Sequence, residues 1–109
     1  MKRFCQTLKL KEDPDLVREY IRVHQEVWPE IKAGIREVGI VDMEIYIHGF
    51  TLFMVVETTD DFDWFKDNTR LSALPRQAEW EAYVSQFQQT TSTATSSEKW
   101  TLMERIFKL

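Results

Sequence analysis

The stretch from Tyr20 to Glu30, YIRVHQEVWPE, decides both the fold class and the candidate site. At about 100° per residue, one side of a helix through this stretch collects Val17, Tyr20, Ile21, His24, Trp28, Ile31, Ile35 and Val38. His24 lies near the middle of this apolar stripe, with a phenol one turn before it and an indole one turn after it. The pattern predicts an imidazole that points toward the core, where it could hold a substrate and move a proton.

Pro29 interrupts the predicted helix. A proline in a helix interior removes a backbone hydrogen bond and costs about 3 kcal/mol, and it disfavours helical geometry at the preceding residue, here Trp28. We therefore expect either a kink at Pro29 or two helical pieces that meet there. A kink would open the turn below His24, whereas a simple bend would only let a long helix follow a twisted sheet.

Capping signals mark both ends of this helical segment. Asp13 is predicted as the N-cap and Pro14 as the first helical residue, with Asp15 in the first turn. The segment is predicted to run to about Val38, and Gly39 is placed just after its C-cap.

The flanking segments complete a compact alternation of strands and helices. The other predicted elements are strands at 3–10, 41–48, 51–57 and 100–107, a short helix at 61–66 capped by Asp60, a helix at 76–88 and a solvated Ser/Thr loop at 90–97. His48, Gly49 and Phe50 form a tight connection between the second and third strands. The order β-α-β-β-α-β is typical of the ferredoxin-like fold, an α+β class with an antiparallel sheet. A single domain over residues 1–109 is expected.

The third and fourth predicted strands carry large apolar side chains on both faces. Leu52, Met54 and Val56 alternate with Phe53 and Val55 in the third, and Leu102 and Ile106 alternate with Met103 and Phe107 in the fourth. A sheet that is apolar on both sides needs cover on both sides, and two helices cover only one. We therefore expect a homodimer that packs sheet to sheet in a dimeric α/β-barrel-type assembly. The alternative is that some strand residues are merely half-exposed.

The amino-acid composition limits the kinds of molecule that the protein is expected to bind. The 109 residues carry a formal net charge of −4 with scattered Lys and Arg, so neither nucleic acid nor an anionic membrane is expected. No apolar run approaches the ~20 residues of a membrane span, and the first residues lack the apolar region of a signal peptide. The single cysteine, Cys5, points to a reducing, cytoplasmic compartment. Because the chain has only one cysteine and two histidines, a zinc site built from these residues is not expected, and no metal site is predicted.

The spacing Tyr-x-x-x-His-x-x-x-Trp-Pro-Glu, here Tyr20, His24, Trp28, Pro29 and Glu30, resembles the first helix of the L-rhamnose mutarotase family. The resemblance continues in order along most of the chain, through Gly39, Ile45-Tyr46, Gly49, Glu57, a tryptophan on the late helix and an aromatic C-terminal strand. It implies a small ferredoxin-like chain that pairs as a homodimer. It also implies an isomerase that interconverts the α and β anomers of 6-deoxy sugars without metal or cofactor.

The resemblance implies roles for individual residues. The family's proton donor is a histidine at the position of His24, and residues matching Tyr20 and Trp80 bind the sugar. The best-known members carry a tyrosine where this chain has Met43, which is therefore a further substrate-binding candidate, and often a second tryptophan where it has Glu81. These departures leave the sugar open. L-Rhamnose is the main hypothesis, and L-fucose or a related sugar is the alternative.

The chemistry can also be argued from the residues alone. Mutarotation opens a cyclic hemiacetal, rotates the aldehyde and closes the ring again. A histidine with a pKa near 6.5 can deliver or accept the protons at neutral pH, and such help supplies about 10²–10⁴-fold. If Met43 faces the helix, Asp42 and Glu44 face away from it. A second proton carrier is therefore left open among water, Tyr20 and the partner chain.

Other aromatic and charged residues favour structural roles. Trp28 is expected to pack as a wedge at the helix break, and Trp64 and Phe65 are expected to form a lid or part of the core. His48 is predicted at the hairpin tip, and Glu30 on a solvated helix face.

Two other classes of function fit the same architecture. A cofactor-free monooxygenase of the dimeric ferredoxin-like type would consume oxygen with a phenolic substrate, and a non-enzymatic sugar-binding module would bind without accelerating anomer exchange.

Overall fold

A four-stranded antiparallel sheet with helices on one face forms the molecule. The computed structural model describes all residues 1–109. The elements are β1 (Lys2–Lys9), α1 (Pro14–His24), α2 (Pro29–Glu37), β2 (Ile40–His48), β3 (Thr51–Thr58), α3 (Trp64–Ser72), α4 (Gln77–Ser85), α5 (Ser96–Lys99) and β4 (Thr101–Leu102). The strand order is β2-β3-β1-β4, which confirms the ferredoxin-like prediction.

The register of the sheet decides which side chains face the helices. Met54 on β3 lies opposite Gln6 on β1 and Ile45 on β2, so these three residues share one face. Their neighbours Phe53 and Val55 point to the other face and are half-buried, with no helix over them. Period-two alternation therefore gives β3 one fully buried face and one partly covered face.

The core lies between the inner face of the sheet and the helices. Its most deeply buried members include Leu10, Ile31, Leu52, Val56 and Phe62. These residues come from the sheet, from α2 and from the segment before α3. Burying each such side chain contributes about 1.5–3 kcal/mol relative to leaving it exposed.

The predicted long helix is two helices, which is the second of the two expected outcomes. α1 ends at His24, and α2 begins at Pro29 with Trp28 as its N-cap residue. Trp28 is extended, at φ −56° and ψ 137°, as a residue before proline prefers. The predicted stripe is wrong in one respect: Ile21 is 42% exposed, because the buried face of α1 runs through Tyr20 and Val23.

The helix ends confirm some capping predictions and correct another. The carboxylate of Asp13 accepts hydrogen bonds from the backbone N–H of Asp15 and Leu16, as an N-cap does. The predicted capping by Asp60 is wrong, because Asp63 caps α3, which runs further than the predicted helix at 61–66. Asp60 instead pairs with the N-terminal amine at 2.6 Å.

The C-terminal part of the chain departs most from the prediction. The predicted strand at 100–107 is reduced to Thr101–Leu102, plus one bond from the Met103 N–H to the Cys5 carbonyl at 2.8 Å. Ile106 and Phe107 are largely exposed in the single chain and lie beyond the pairing of β4 with β1. The predicted loop at 90–97 ends in α5, which a capping box at Thr95 starts.

None of the helices is both long enough and apolar enough to span a lipid bilayer.

Two glycines, Gly39 and Gly49, have positive φ angles, and their substitution measures how much stability depends on this left-handed backbone conformation. Gly39 follows α2 with φ +104°, and a Cβ there would lie 3.0 Å from the Thr59 hydroxyl oxygen. Gly49 in the hairpin has φ +60° and open space around it. We expect Gly39→Ala to lower the free energy of unfolding by about 2–3 kcal/mol and Gly49→Ala by about 1 kcal/mol. Urea unfolding of both variants measures the difference, and equal costs would contradict the steric argument.

Candidate active site

A cavity of about 430 Å³ lies between the helices and the inner face of the sheet. This volume is within the range of small-molecule sites. Its walls come mainly from α1, α2, α4, α5, β2 and β3. The lining residues with polar or aromatic groups of interest are Tyr20, His24, Gln77, Trp80, Glu81, Gln88 and Trp100, and Met43, Ile45 and Met54 form the floor on the sheet.

The break between α1 and α2 places His24 at this cavity. Because α1 stops at His24, the imidazole lies at a helix C-terminus instead of mid-helix. The Trp28 indole meets the Trp80 indole edge-on, with ring centroids 5.1 Å apart, and Trp80 meets the His24 ring at 5.5 Å. The Arg76 guanidinium lies 4.2 Å from the centre of the Trp28 ring and covers it on its outer side. The aromatic groups therefore hold the imidazole against the cavity wall.

The hydrogen bond of His24 determines its tautomer. Nδ1 lies 2.9 Å from the backbone carbonyl oxygen of Tyr20. A carbonyl can only accept, so Nδ1 carries the hydrogen and Nε2 of the neutral ring is left with its lone pair. Burial lowers the pKa of His24 below 6.5, and the bond to the Tyr20 carbonyl opposes this shift more weakly. At neutral pH His24 is therefore an unprotonated base.

Tyr20 lies beside the imidazole and is protonated. Tyr20 is 3% exposed, and the centroid of its ring is 4.1 Å from the centroid of the His24 ring. Burial raises the pKa of Tyr20 far above its ordinary value of 10. The Gln88 side-chain amide donates to the Tyr20 hydroxyl oxygen at 3.4 Å. The phenol therefore remains a neutral hydrogen-bonding group at any physiological pH.

A buried ion pair lies on the α4 side of the cavity. The Lys99 ammonium lies 3.0 Å from Glu81 Oε1, and the Lys99 side chain is fully buried. Gln77 donates to Glu81 Oε2 at 3.0 Å. Leaving one partner of such a pair without the other costs about 3–5 kcal/mol, so the two charges depend on each other.

The buried polar group formed by Gln77, Glu81 and Lys99 was not predicted from the sequence, although the sequence carries a signal for part of it. Gln77, Trp80, Glu81, Val84 and Gln88 recur with helical spacing, and three of the five are polar. Polar residues that recur at helical spacing among buried residues can line a binding site and do not always mark a solvent-exposed helix face. Lys99 had no such signal, because only the packing of α5 against α4 brings it there.

The structure brings together all four residues predicted as site residues. His24, Tyr20, Trp80 and Met43 line the same cavity. Met43 faces the helices, and the exposed carboxylates of Asp42 and Glu44 lie on β2 at alternate positions. Asp42 reaches only the rim of the cavity, where its carboxylate accepts from the Met43 N–H at 3.0 Å.

Other candidates lie away from the cavity. Trp28 packs against Trp80 and Tyr83, Trp64 packs on Phe4 at 4.6 Å, and Phe65 is 80% exposed. The exposed residues that do not line the cavity also include His48 and Glu30. No three His, Cys, Asp or Glu side chains form a group that could hold a metal ion.

Comparison of the sequence with known proteins gives a family of sugar mutarotases. A sequence model described as L-rhamnose mutarotase matches residues 3–109. The chain is 36% identical to an L-fucose mutarotase of Xanthomonas campestris pv. campestris, over all of this chain and 89% of that protein. Both similarities therefore extend across nearly the whole of this chain.

Comparison of the structure gives the same fold. A crystal structure of an L-rhamnose mutarotase from Formosa agariphila superposes with a TM-score of 0.72 at 19% identity, covering 100% of this chain and 99% of that one. The tetracenomycin F2 cyclase of Streptomyces glaucescens superposes with a TM-score of 0.67 at 14% identity, covering 100% of this chain and 97% of that one. The fold is therefore shared with proteins of different activity, and the chemistry depends on the side chains.

The lowered pKa of His24 predicts a pH dependence of stability. Between 6.5 and the lower folded pKa, the unfolded chain binds a proton that the folded chain does not. The free energy of unfolding should therefore fall as the pH falls below 6.5, and His24→Asn should reduce this slope. In a His48→Gln background, His24 is the single imidazole, and NMR titration reads its pKa directly. A pKa above 6.5 would contradict the burial argument.

Proposed function

Because the chain belongs to the L-rhamnose mutarotase family, we propose that it interconverts the α and β anomers of a 6-deoxy aldose in the cavity around His24. The chain is thus an isomerase that acts on a carbohydrate. The observation that supports this assignment to the cavity is a neutral imidazole with Nδ1 occupied and Nε2 free, on the wall of a 430 Å³ space. L-Rhamnose is the main substrate hypothesis.

The proposed reaction moves one proton between two oxygens on the same carbon. His24 Nε2 accepts the proton of the anomeric hydroxyl, the bond from the anomeric carbon to the ring oxygen breaks, and the C=O double bond of the aldehyde forms. The imidazolium then delivers the same proton to the former ring oxygen. Rotation about the bond next to the aldehyde and the reverse steps close the ring on the other face. No net proton is consumed, so a single base whose pKa is not far from neutral suffices.

The walls of the cavity suit a 6-deoxy sugar. The Trp80 indole offers a flat apolar face for the C–H side of a pyranose ring. Met43, Ile45 and Met54 form an apolar floor, which favours a methyl group over a hydroxymethyl group. On α4, the Gln77 amide can donate to and accept from the sugar hydroxyl groups, and the Glu81 carboxylate can accept from them. We propose that these contacts bind the substrate.

L-Fucose is the second candidate substrate. The observation that favours it is the 36% identity to an L-fucose mutarotase across the whole of this chain. The two sugars differ in the orientation of hydroxyl groups, so the polar residues on α4 would discriminate between them by hydrogen bonding.

We also propose that the chain forms a homodimer through the outer face of the sheet. Phe53 and Val55 on β3 are half-buried there without a covering layer, and Tyr46 beside them is 54% exposed. The proposed partner is a second copy of this chain, since the family resemblance and the two-faced apolar pattern both indicate sheet-to-sheet pairing.

The enzymatic proposal is tested by saturation-transfer NMR between the two anomers of L-rhamnose, L-fucose and D-galactose. We expect accelerated exchange with at least one 6-deoxy sugar and a loss of about 10²–10⁴-fold in His24→Asn, because Asn keeps the bond to the Tyr20 carbonyl and lacks the base. His48→Gln is the matched control and should keep full activity. Binding without acceleration would favour a sugar-binding module, and oxygen uptake with a phenol would favour a monooxygenase.

The dimer proposal is tested by light scattering at micromolar concentration. We expect twice the chain mass of 13.0 kDa for the natural protein. Val55→Asp should shift the mass toward a single chain, because a charge would be buried between two sheets. Ala82→Asp, on the exposed side of α4, is the control and should leave the mass unchanged. A single-chain mass for the natural protein would overturn the proposal.

A further inference from the structure

We propose that Lys99 is a positioning residue which, through Gln88, makes the Tyr20 hydroxyl a hydrogen-bond donor toward the ligand in the cavity. The inference deepens the proposed function and rests on it, because the ligand is taken to be the hemiacetal of a sugar. It links Lys99 to Gln88, 11 residues away in sequence, and Gln88 to Tyr20, 68 residues away, and none of these contacts involves His24 directly.

Lys99 is surrounded by acceptors. Its ammonium donates to Gln88 Oε1 at 2.9 Å, to the Ser85 hydroxyl at 3.1 Å and to the Glu81 carbonyl at 3.1 Å, beside the 3.0 Å contact with the Glu81 carboxylate. The Lys99 side chain has no exposed surface. An ammonium has donors only, so each of these four atoms must act as an acceptor.

This requirement fixes the side-chain amide of Gln88. The amide oxygen faces the Lys99 ammonium, so the amide nitrogen faces the Tyr20 hydroxyl at 3.4 Å. Turning the amide over would place its N–H₂ group against an ammonium inside the protein, where both are donors. Gln88 is 2% exposed, so water cannot take over either contact at little cost.

The orientation of Gln88 sets the polarity of Tyr20. The amide nitrogen can only donate, so the Tyr20 oxygen accepts from it, and the hydroxyl hydrogen has to point elsewhere. No other protein group hydrogen-bonds to this hydroxyl, and Tyr20 lines the cavity. The hydroxyl hydrogen is therefore available to a ligand oxygen.

The donor on Tyr20 and the acceptor on His24 together match the hydrogen-bonding groups of a hemiacetal. The ring oxygen of a pyranose has no hydrogen and can only accept, whereas the anomeric hydroxyl on the same carbon can donate. Tyr20 offers a donor, and His24 offers an acceptor at Nε2, from rings whose centroids are 4.1 Å apart. A Tyr20 hydroxyl that donated to Gln88 would instead present only lone pairs to the ring oxygen. The series of hydrogen bonds from Lys99 through Gln88 to Tyr20 thus selects the arrangement in which the ring oxygen gains hydrogen-bond stabilisation as its bond to carbon breaks.

The proposal is tested with Gln88→Glu, which keeps the size of the side chain but makes it an acceptor at both oxygens. The Tyr20 hydroxyl would then donate to the introduced carboxylate and no longer to the sugar. We expect kcat for anomer exchange to fall about 100-fold with KM little changed, to the level of Tyr20→Phe, as when one preorganised donor is lost. Gln86→Glu, at the exposed C-cap of α4, is the matched control and should keep natural kinetics.

A purely structural role for the cluster predicts the opposite ranking. If Gln88 only filled space and satisfied Lys99, the extra carboxylate would suit the ammonium, and Gln88→Glu would be more active than Gln88→Met. We expect Gln88→Met to be the more active of the two, because it leaves the Tyr20 hydroxyl free to turn toward the sugar. Near-natural kcat in a folded Gln88→Glu variant would overturn the proposal.

A second variant and a readout without catalysis cover the case in which Gln88→Glu does not fold. Glu81→Gln with Lys99→Met removes both buried charges together and releases the Gln88 amide. NMR should show slow solvent exchange of the Gln88 side-chain amide hydrogens in the natural protein, and faster exchange with two orientations in the double variant. Equally fast exchange in both would overturn the positioning role. Absence of anomer exchange in the natural protein would instead refute the proposed function, whatever the amide shows.

Discussion

The break in the polypeptide between His24 and Pro29 is the constraint on which the site depends. Proline cannot donate the backbone hydrogen bond that would continue α1, and it holds Trp28 in extended geometry. The imidazole therefore sits at a helix end beside an opening, with the Trp28 indole turned against Trp80. An unbroken helix would carry His24 along a packed stripe, where a side chain of its size would be enclosed by neighbours.

Burial gives the two groups at the centre of the cavity opposite and complementary properties. Desolvation disfavours charge in both, so it lowers the pKa of His24 and raises that of Tyr20. The same change of environment thus yields a neutral base and a neutral acid side by side. The charges that the site does contain, on Glu81 and Lys99, are paired with each other. This pairing allows a polar network to lie under an apolar cavity at an acceptable cost in stability.

In the proposed function, the two faces of the sheet have separate tasks. The inner face supplies the cavity floor through Met43, Ile45 and Met54, and the outer face presents Phe53 and Val55. Because neighbouring residues on a strand point to opposite faces, each strand serves both tasks at once, and a slip of one residue in register would exchange them. The same fold occurs in a cyclase at 14% identity, so the fold alone does not determine the chemistry.

The sequence by itself determined the features that depend on near neighbours. Asp13 as a cap, Gly39 after α2, the hairpin at Gly49 and the break at Pro29 all follow from local backbone chemistry. Helical periodicity was also enough to place His24 and Tyr20 toward the interior, whereas Trp80 and Met43 were implied by the resemblance to the mutarotase family. The short length of β4 escaped this reasoning, because an alternating pattern does not tell how far a strand pairs with its neighbour.

Only the tertiary structure decided how the polar groups meet. Gln88 and Tyr20 are 68 residues apart in the chain, and Lys99 on α5 reaches Glu81 on α4 across the segment that connects the two helices. Periodicity reports which face of an element a residue occupies, and it carries no information about which atom of another element lies opposite. The tautomer of His24, the orientation of the Gln88 amide and the direction of the Tyr20 hydroxyl follow from those distances, because hydrogen bonds require a donor to face an acceptor within a few tenths of an ångström of about 3 Å.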